Sequence, residues 1–96
     1  MSINVSSNKS TRDAVRTRLA ELVCAACDGS VSVEEVTGWA GQLAALGVSS
    51  LAQLRIVDAV ETEFEIYLEL DGPLAFLSTL DSLTDYVVQL LGKTDR

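Results

Sequence analysis

The most regular helical pattern in the chain is SLAQLRIVDAVETEF, residues 50–64. Its large apolar residues recur at intervals of three or four, which places them on one face of a helix. They are Leu51, Leu54, Val57, Val60 and Phe64. Gly47 supplies a break before this segment, and Ser49 or Ser50 can cap the helix that follows. The pattern predicts a helix whose apolar face turns into a core. Ile56 is placed near the edge of the opposite side, where exposure and burial against the bundle both stay open.

A first helix is predicted upstream, from about Thr11 to Cys27. Ser10 and Asp13 match the S/T-x-x-D/E pattern of a capping box, and the sequence DGS at residues 28–30 is a typical stop. The apolar residues at helical spacing are Val15, Leu19, Leu22, Val23 and Ala26. This segment therefore supplies a second element for the core.

A weaker helical pattern occupies residues 33–46, after a second S-x-x-E capping box that opens at Ser32. Gly38 and Gly41 each cost up to about 1 kcal/mol relative to alanine inside a helix. Two interpretations stay open for this segment, a full helix and a short helix followed by an ordered loop. We expect Trp39 to be a core anchor rather than part of a ligand site.

The last helix is predicted to be capped by Ser78 or Thr79 and to end at Gly92. Before it, residues 66–70 indicate a buried connection, and the turn DGP at residues 71–73 leads into a short helix over residues 74–77. Residues 66–70 are the only segment with the brief alternating pattern of a strand. The predicted fold class is all-α, a small antiparallel four-helix bundle with one long loop or extra helix after the first helix.

The chain of 96 residues is long enough for one compact domain. We predict a flexible polar N-terminus at residues 1–10, the domain at 11–92 and a tail at 93–96. No apolar run approaches the roughly 18 residues of a membrane span, and the start lacks a secretory pattern. We therefore expect a cytoplasmic protein without membrane association, and the Met1 start favours a discrete protein over an excised domain.

Charge and cysteine usage exclude several function classes. The chain has no histidine, so the usual general base and metal ligand are missing, and we predict neither a catalytic site nor a metal site. Cys24 and Cys27 form a C-x-x-C spacing, but a zinc site needs four ligands, and these cysteines lie inside a helical pattern. We expect them to be small core or near-core side chains.

The net charge is −7, and Arg55 is the only basic residue between Arg18 and Lys93. An acidic surface repels a phosphate backbone, so nucleic-acid binding is not expected. The surface suits either a basic protein partner or simple solubility.

The sequence LGVSSL at residues 46–51, followed by a helix that closes in VETEF at 60–64, resembles the attachment region of acyl and peptidyl carrier proteins. In that family, LGxDSL opens the second main helix and an acidic stretch with an aromatic residue closes it. The resemblance covers roughly residues 11–91 and aligns the modified serine with Ser50. Ser49 departs from the family pattern, which usually has Asp there.

The resemblance implies a bundle of acyl-carrier-protein type in which Ser50 carries 4'-phosphopantetheine, covalently attached from coenzyme A. An acyl or aminoacyl group would be held on that arm as a thioester. The implied partners are a phosphopantetheinyl transferase and an acyltransferase, adenylating enzyme or ketosynthase of the pathway, and we expect a monomer. The predicted partner-binding residues are Ser49, Leu51, Arg55, Asp58 and Thr62.

Several alternatives remain at this point. Ser49 and Ser82 compete with Ser50 for the arm; Ser82 follows Asp81, but it lies inside a predicted first turn. The expectation that Leu51 points inward, directly after the modified serine, disfavours Ser49. By analogy, a specialised polyketide or nonribosomal peptide pathway is favoured over fatty-acid synthesis. The alternatives from other classes are an unmodified helical interaction module and, less favoured, an enzyme. No pattern in the sequence identifies the acyl or aminoacyl group that the arm would carry.

Overall fold

The computed structural model describes residues 7–68 and 75–94, and the regular structure in these ranges is entirely helical. The all-α prediction is confirmed. The helices are α1 (Ser7–Ala26), α2 (Val33–Thr37), α3 (Ser50–Phe64) and α4 (Leu80–Thr94), with 3₁₀ turns at Leu43–Leu46 and Ala75–Leu77. No helix in the described ranges has the length and apolar character needed to cross a membrane.

Helix α1 is the central element, because it packs against α2, α3 and α4. It begins at Ser7, four residues before the predicted start, so Ser10 lies inside the helix and is not its cap. Residues 7–10 contain neither glycine nor proline, and nothing in that stretch stops the helix from extending. The predicted Ser10–Asp13 capping box is therefore wrong.

The predicted stop after α1 is confirmed. The N–H of Gly29 donates to the carbonyl of Cys24 at 3.0 Å, and the N–H of Asp28 donates to the carbonyl of Ala25 at 3.0 Å. This pair of bonds is the Schellman arrangement, with Asp28 in the left-handed region at φ 57°. The chain thereby leaves α1 sharply, and Val31 returns to the core.

Residues 33–46 form a short helix and a 3₁₀ turn, the second of the two interpretations. The Ser32 capping box is confirmed, since the Ser32 hydroxyl accepts from the N–H of Glu35 and the Glu35 carboxylate accepts from the N–H of Ser32. The helix ends at Thr37, and Gly38 is its C-cap. Trp39 is half-buried and lies outside the core cluster, with its indole N–H bound to the Gln42 carbonyl at 2.8 Å. The prediction of a core anchor there is wrong.

The buried face of α3 differs from the predicted one. Leu51 and Leu54 are 59% and 58% exposed, whereas Ile56 is completely buried. The buried residues of this helix are Ala52, Ile56, Val57 and Val60. Val57 and Val60 fit both the predicted and the observed buried face by their spacing. The sequence pattern alone therefore rotated the predicted core face by about one residue position from the observed one.

The connection after α3 alternates between core and solvent. Ile66 and Leu68 are buried while Tyr67 is 85% exposed, and the Glu61 carboxylate accepts from the N–H of Leu68 at 3.0 Å. The predicted buried connection is confirmed for Ile66 and Leu68 and is wrong for Tyr67. Its last two residues, the DGP turn and the start of the predicted short helix lie outside the described residues; the rest of that helix is the second 3₁₀ turn.

Helix α4 begins as predicted and ends later. The Thr79 hydroxyl accepts from the N–H of Ser82 at 3.0 Å, and the Ser82 hydroxyl accepts from the N–H of Thr79 at 3.1 Å. This reciprocal pair caps the helix. The predicted end at Gly92 is wrong, since the helix continues to Thr94. Gly92 lacks the left-handed φ of a helix stop, and its cost of about 1 kcal/mol does not end a helix by itself.

Side chains from all parts of the described chain meet in one core. The largest completely buried ones include Leu19, Leu43, Ile56, Leu80 and Leu83. Ion pairs flank this core between α1 and its neighbours. Arg12 binds Asp85, and Arg16 binds Asp81, each at 2.8 Å. The core and these pairs fix α3 and α4 against α1.

Candidate functional site

The site begins with the turn that precedes α3. Gly47 has φ 100°, a left-handed conformation that glycine adopts without steric cost, and its N–H donates to the Ala44 carbonyl at 3.0 Å. Val48 then enters the core, with 4% of its surface exposed. Because Val48 anchors the chain, Ser49 and Ser50 are both held in solvent at the start of the helix.

Ser49 is the N-cap of α3, as the sequence predicted. Its hydroxyl accepts from the N–H of Ala52 at 3.1 Å, and its carbonyl accepts the first intrahelical bond, from Gln53, at 2.9 Å. The N–H groups of Ser50 and Leu51 precede that bond, so helix geometry gives them no intrahelical acceptor. This arrangement directs two N–H donors and the positive end of the helix dipole toward an anion at Ser50.

Ser50 is the first residue of α3 and is exposed. Its hydroxyl has no hydrogen-bond partner in the described part of the chain. A phosphodiester on this oxygen would sit beside the two N–H donors without displacing a buried group. The residues present therefore fit a phosphate-linked group on Ser50.

The competing serines have occupied hydroxyls. The Ser82 hydroxyl is half-buried in the first turn of α4, donates to the Phe76 carbonyl at 3.1 Å and accepts from Thr79. The Ser49 hydroxyl caps α3. The predicted position of Ser82 is confirmed. The argument against Ser49 that required an inward Leu51 is wrong, because Leu51 is exposed, and the capping bond is the structural difference between Ser49 and Ser50.

The predicted partner residues all lie in solvent. They are Ser49, Leu51, Arg55, Asp58 and Thr62. The exposed Leu54 belongs with them, although the sequence placed it in the core. Helical spacing places Leu51, Leu54, Asp58 and Thr62 on one face, so the prediction that turned the two leucines inward and the polar residues outward is wrong for the leucines. The site thus combines an exposed serine with an exposed pair of leucines.

An open groove of about 210 Å³ lies between the end of α1 and the first turns of α3. Its lining residues are Ala26, Cys27, Asp28, Ser30, Gly47, Ser49, Leu51, Ala52 and Arg55. Arg55 bridges the two walls, donating to the Asp28 carboxylate at 3.3 Å and to the Ala26 carbonyl at 3.4 Å. Sequence reasoning missed this groove, since its walls, at 26–30 and 47–55, are distant in the sequence.

The two cysteines are free thiols, half-buried at the C-terminal end of α1. The Cys24 thiol donates to the Val31 carbonyl at 2.9 Å. Burial, with smaller effects from Cys24 and Asp28, raises the pKa of the Cys27 thiol above its ordinary value. A raised pKa lowers the thiolate fraction of Cys27, which agrees with a small near-core side chain rather than a reactive thiol. Among the described residues, no cluster of three or more His, Cys, Asp or Glu could hold a metal ion.

Comparisons with protein-family models, with curated proteins and with solved structures found no match for the chain. The functional interpretation therefore depends on the environment of Ser50 and on the resemblance of residues 46–51 and 60–64 to carrier proteins.

Proposed function

We propose that the chain is a carrier protein that accepts 4'-phosphopantetheine from coenzyme A on Ser50. The observation that carries the proposal is the environment of Ser50, an exposed first helical residue with an unbonded hydroxyl, placed after the left-handed Gly47 and the capping Ser49. The thiol of the bound arm would hold an acyl or aminoacyl group as a thioester. Tethering of that kind makes later reactions effectively intramolecular once the carrier docks.

The chain's own residues would bind and position, while the transferase would supply catalysis. The Ser50 oxygen forms a bond to the β-phosphorus of coenzyme A, and the bond from that phosphorus to the leaving 3',5'-ADP breaks. The serine proton passes to a base of the transferase, so the missing histidine is no obstacle. The Ser50 and Leu51 N–H groups stabilise the phosphate that remains on the carrier.

The docking face for the transferase and later partners is the exposed side of α3. Leu51 and Leu54 provide apolar contact, and Asp58 and Thr62 provide polar contacts further along the helix. Exposed apolar pairs rimmed by polar residues are typical of protein-binding surfaces. Ser49 keeps the cap of the family's usual Asp but lacks its charge, so we expect a transferase that tolerates this variant.

A specialised polyketide or nonribosomal peptide pathway remains the favoured context, with a cytoplasmic location. Ser49, Ala52, Gln53 and Arg55 dilute the acidic first turns that fatty-acid carriers generally have, which is an argument by analogy. The partners would then include an adenylating enzyme, an acyltransferase or a ketosynthase. The exposed Leu51 and Leu54 also favour a second function, an unmodified interaction module that uses the same face.

Incubation with coenzyme A and a broad-specificity phosphopantetheinyl transferase separates these two functions. Intact-mass spectrometry should show the addition of one phosphopantetheine to the unchanged chain. The Ser50→Ala chain should be folded by circular dichroism and should gain no mass. An unchanged mass with several active transferases, each verified on a known substrate, would contradict the carrier function and favour the interaction module.

A further inference from the structure

The two cysteines of the chain lie together where α1 ends. Cys24 is in the last turn of the helix, and Cys27 is the residue directly after it. The chain has two cysteines, both free and half-buried, so an intrachain disulfide can join only this pair. We infer that Cys24 and Cys27 are a redox-sensitive dithiol, which closes to an intrachain disulfide by exchange with a small disulfide such as oxidised glutathione. The inference does not depend on the carrier function proposed for Ser50.

The backbone tightens at this turn. The N–H of Cys27 donates to the carbonyl of Cys24 at 3.2 Å as well as to the carbonyl of Val23 at 3.1 Å. The bond to Cys24 is of the 3₁₀ type, in which the side chains at i and i+3 eclipse each other. Cβ atoms at this spacing in a regular helix are about 5–6 Å apart, and a disulfide needs about 3.5–4.5 Å. No helical turn follows Cys27, so the loop after it can make the remaining shift of about 1–2 Å.

Cys27 is the thiol that a small molecule reaches first, because it lines the open groove between α1 and α3. Burial raises the pKa of this thiol, so its thiolate is scarce at neutral pH and the exchange quickens as the pH rises. The pair therefore follows the thiol–disulfide balance of its surroundings by slow exchange and is not built for rapid turnover.

The exchange balances in two steps. The Cys27 thiolate attacks one sulfur of the small disulfide, whose S–S bond breaks, so that a mixed disulfide forms and one small thiolate leaves. The Cys24 thiolate then attacks the Cys27 sulfur, the intrachain S–S bond forms and the second small thiolate leaves. The two thiol protons of the protein pass through solvent to the two departing thiolates. The cysteine pair loses two electrons, and the small disulfide gains them.

Oxidation would change the loop between α1 and α2. In the reduced state Cys24 holds this loop twice, since its carbonyl accepts from the N–H of Gly29 at 3.0 Å and its thiol donates to the carbonyl of Val31 at 2.9 Å. A disulfide has no S–H, so the Val31 carbonyl loses that donor. Asp28 in the same loop binds Arg55 of α3 at 3.3 Å. The redox state of the pair is therefore coupled to this loop and, through Asp28, to α3.

The test places the unmodified full chain in glutathione buffers of increasing oxidised-to-reduced ratio at mildly alkaline pH. Labelling with N-ethylmaleimide, followed by intact-mass spectrometry, counts the free thiols. At oxidising ratios the expected product takes up no maleimide, carries no glutathione and regains both thiols with dithiothreitol. NMR of that product should show changed chemical shifts for the Gly29 amide and the Val31 carbonyl carbon, and an unchanged shift for the amide of Leu83 in α4.

A matched variant separates the tightened turn from the residue spacing. Glu21→Cys combined with Cys27→Ser places the second thiol three positions before Cys24, so the i to i+3 spacing is kept inside the regular helix. This variant should lose the intrachain bond and give mainly mixed disulfides with glutathione, because the helix interior holds the two Cβ atoms too far apart. Circular dichroism verifies that the variant is folded.

Each outcome decides one of the claims. Two free thiols at every ratio, or mixed adducts without the intrachain bond, would overturn the dithiol. Equal closure in the matched variant would overturn the role of the tightened turn. An intrachain disulfide that leaves the Gly29 and Val31 signals unchanged would overturn the coupling to the loop. A disulfide that shifts those signals and is lost in the matched variant would support all three claims.

Discussion

At the start of α3, two adjacent serines have different surroundings. The Ser49 hydroxyl accepts a bond from Ala52, and the Ser50 hydroxyl is exposed and without a partner in the described chain. The sequence predicted this cap because capping depends on residues three positions apart. The exposure of Leu51 was not predictable in the same way, since it depends on where α1 packs.

Replacing Ser49 by alanine removes the cap bond to the N–H of Ala52. We expect Ser49→Ala to lower the free energy of unfolding by about 1 kcal/mol, measured by urea denaturation. Ser50→Ala, the adjacent control, removes an exposed hydroxyl and should change it by less than about 0.5 kcal/mol. Equal losses in the two variants would show that the cap assignment is wrong.

Helix α3 presents opposite faces to the core and to solvent. Ile56 is completely buried, and Leu54, two positions earlier, is 58% exposed. The sequence predicted the helix and its length well, because its apolar spacing is strong. The predicted buried face of the helix was rotated by about one residue position from the observed face, because Val57 and Val60 fit either face by their spacing.

The corrected rotation predicts unequal costs for two similar truncations. Ile56→Ala should lower the free energy of unfolding by about 2–5 kcal/mol, because it leaves a cavity in the core. Leu54→Ala should cost within about 0.5 kcal/mol, as is usual on an exposed surface. Urea denaturation of both variants measures the difference. A larger loss for Leu54→Ala would support the sequence-based prediction that Leu54 faces the core.

The exposed face of α3 is also where partners are expected to dock. Asp58→Arg and Arg55→Glu should each slow transfer by a partner enzyme. The free energy of unfolding should change by less than about 0.5 kcal/mol for Asp58→Arg, whereas Arg55→Glu also removes the contacts with Asp28 and Ala26. Both side chains are exposed, and their charges steer the encounter with a partner. Stopped-flow or single-turnover transfer kinetics check this. Unchanged rates with every cognate partner would contradict the assignment of this face.

The whole molecule is held together around α1. Composition and spacing predicted an all-α domain, and the described helices confirm it. The ion pairs Arg12–Asp85 and Arg16–Asp81 were not predicted, since their partners are 73 and 65 residues apart. Contacts of that separation follow from the packing of α1 on α4, which leaves no local signal in the sequence.

These ion pairs give the fold a dependence on acid. Arg16, with a smaller effect from Arg12, holds the pKa of Asp81 below its ordinary value. A depressed folded-state pKa stabilises the fold above the unfolded value of about 3.9, and the stabilisation is lost as pH falls through the lower folded value. Asp81 is half exposed, so the effect is small. The stability difference between the unchanged chain and Asp81→Asn should therefore shrink from pH 6 to pH 3 in urea denaturation; a constant difference would contradict the linkage.

The carrier function is tested most directly by locating the added group. After incubation with coenzyme A and a broad-specificity transferase, proteolysis and tandem mass spectrometry should place a single phosphopantetheine on Ser50, with none on Ser49 or Ser82. Ser50→Ala should stay folded and unmodified, and Ser82→Ala should still be modified. Modification of folded Ser50→Ala, or a group mapped to Ser49 or Ser82 in the unchanged chain, would contradict the assignment of Ser50.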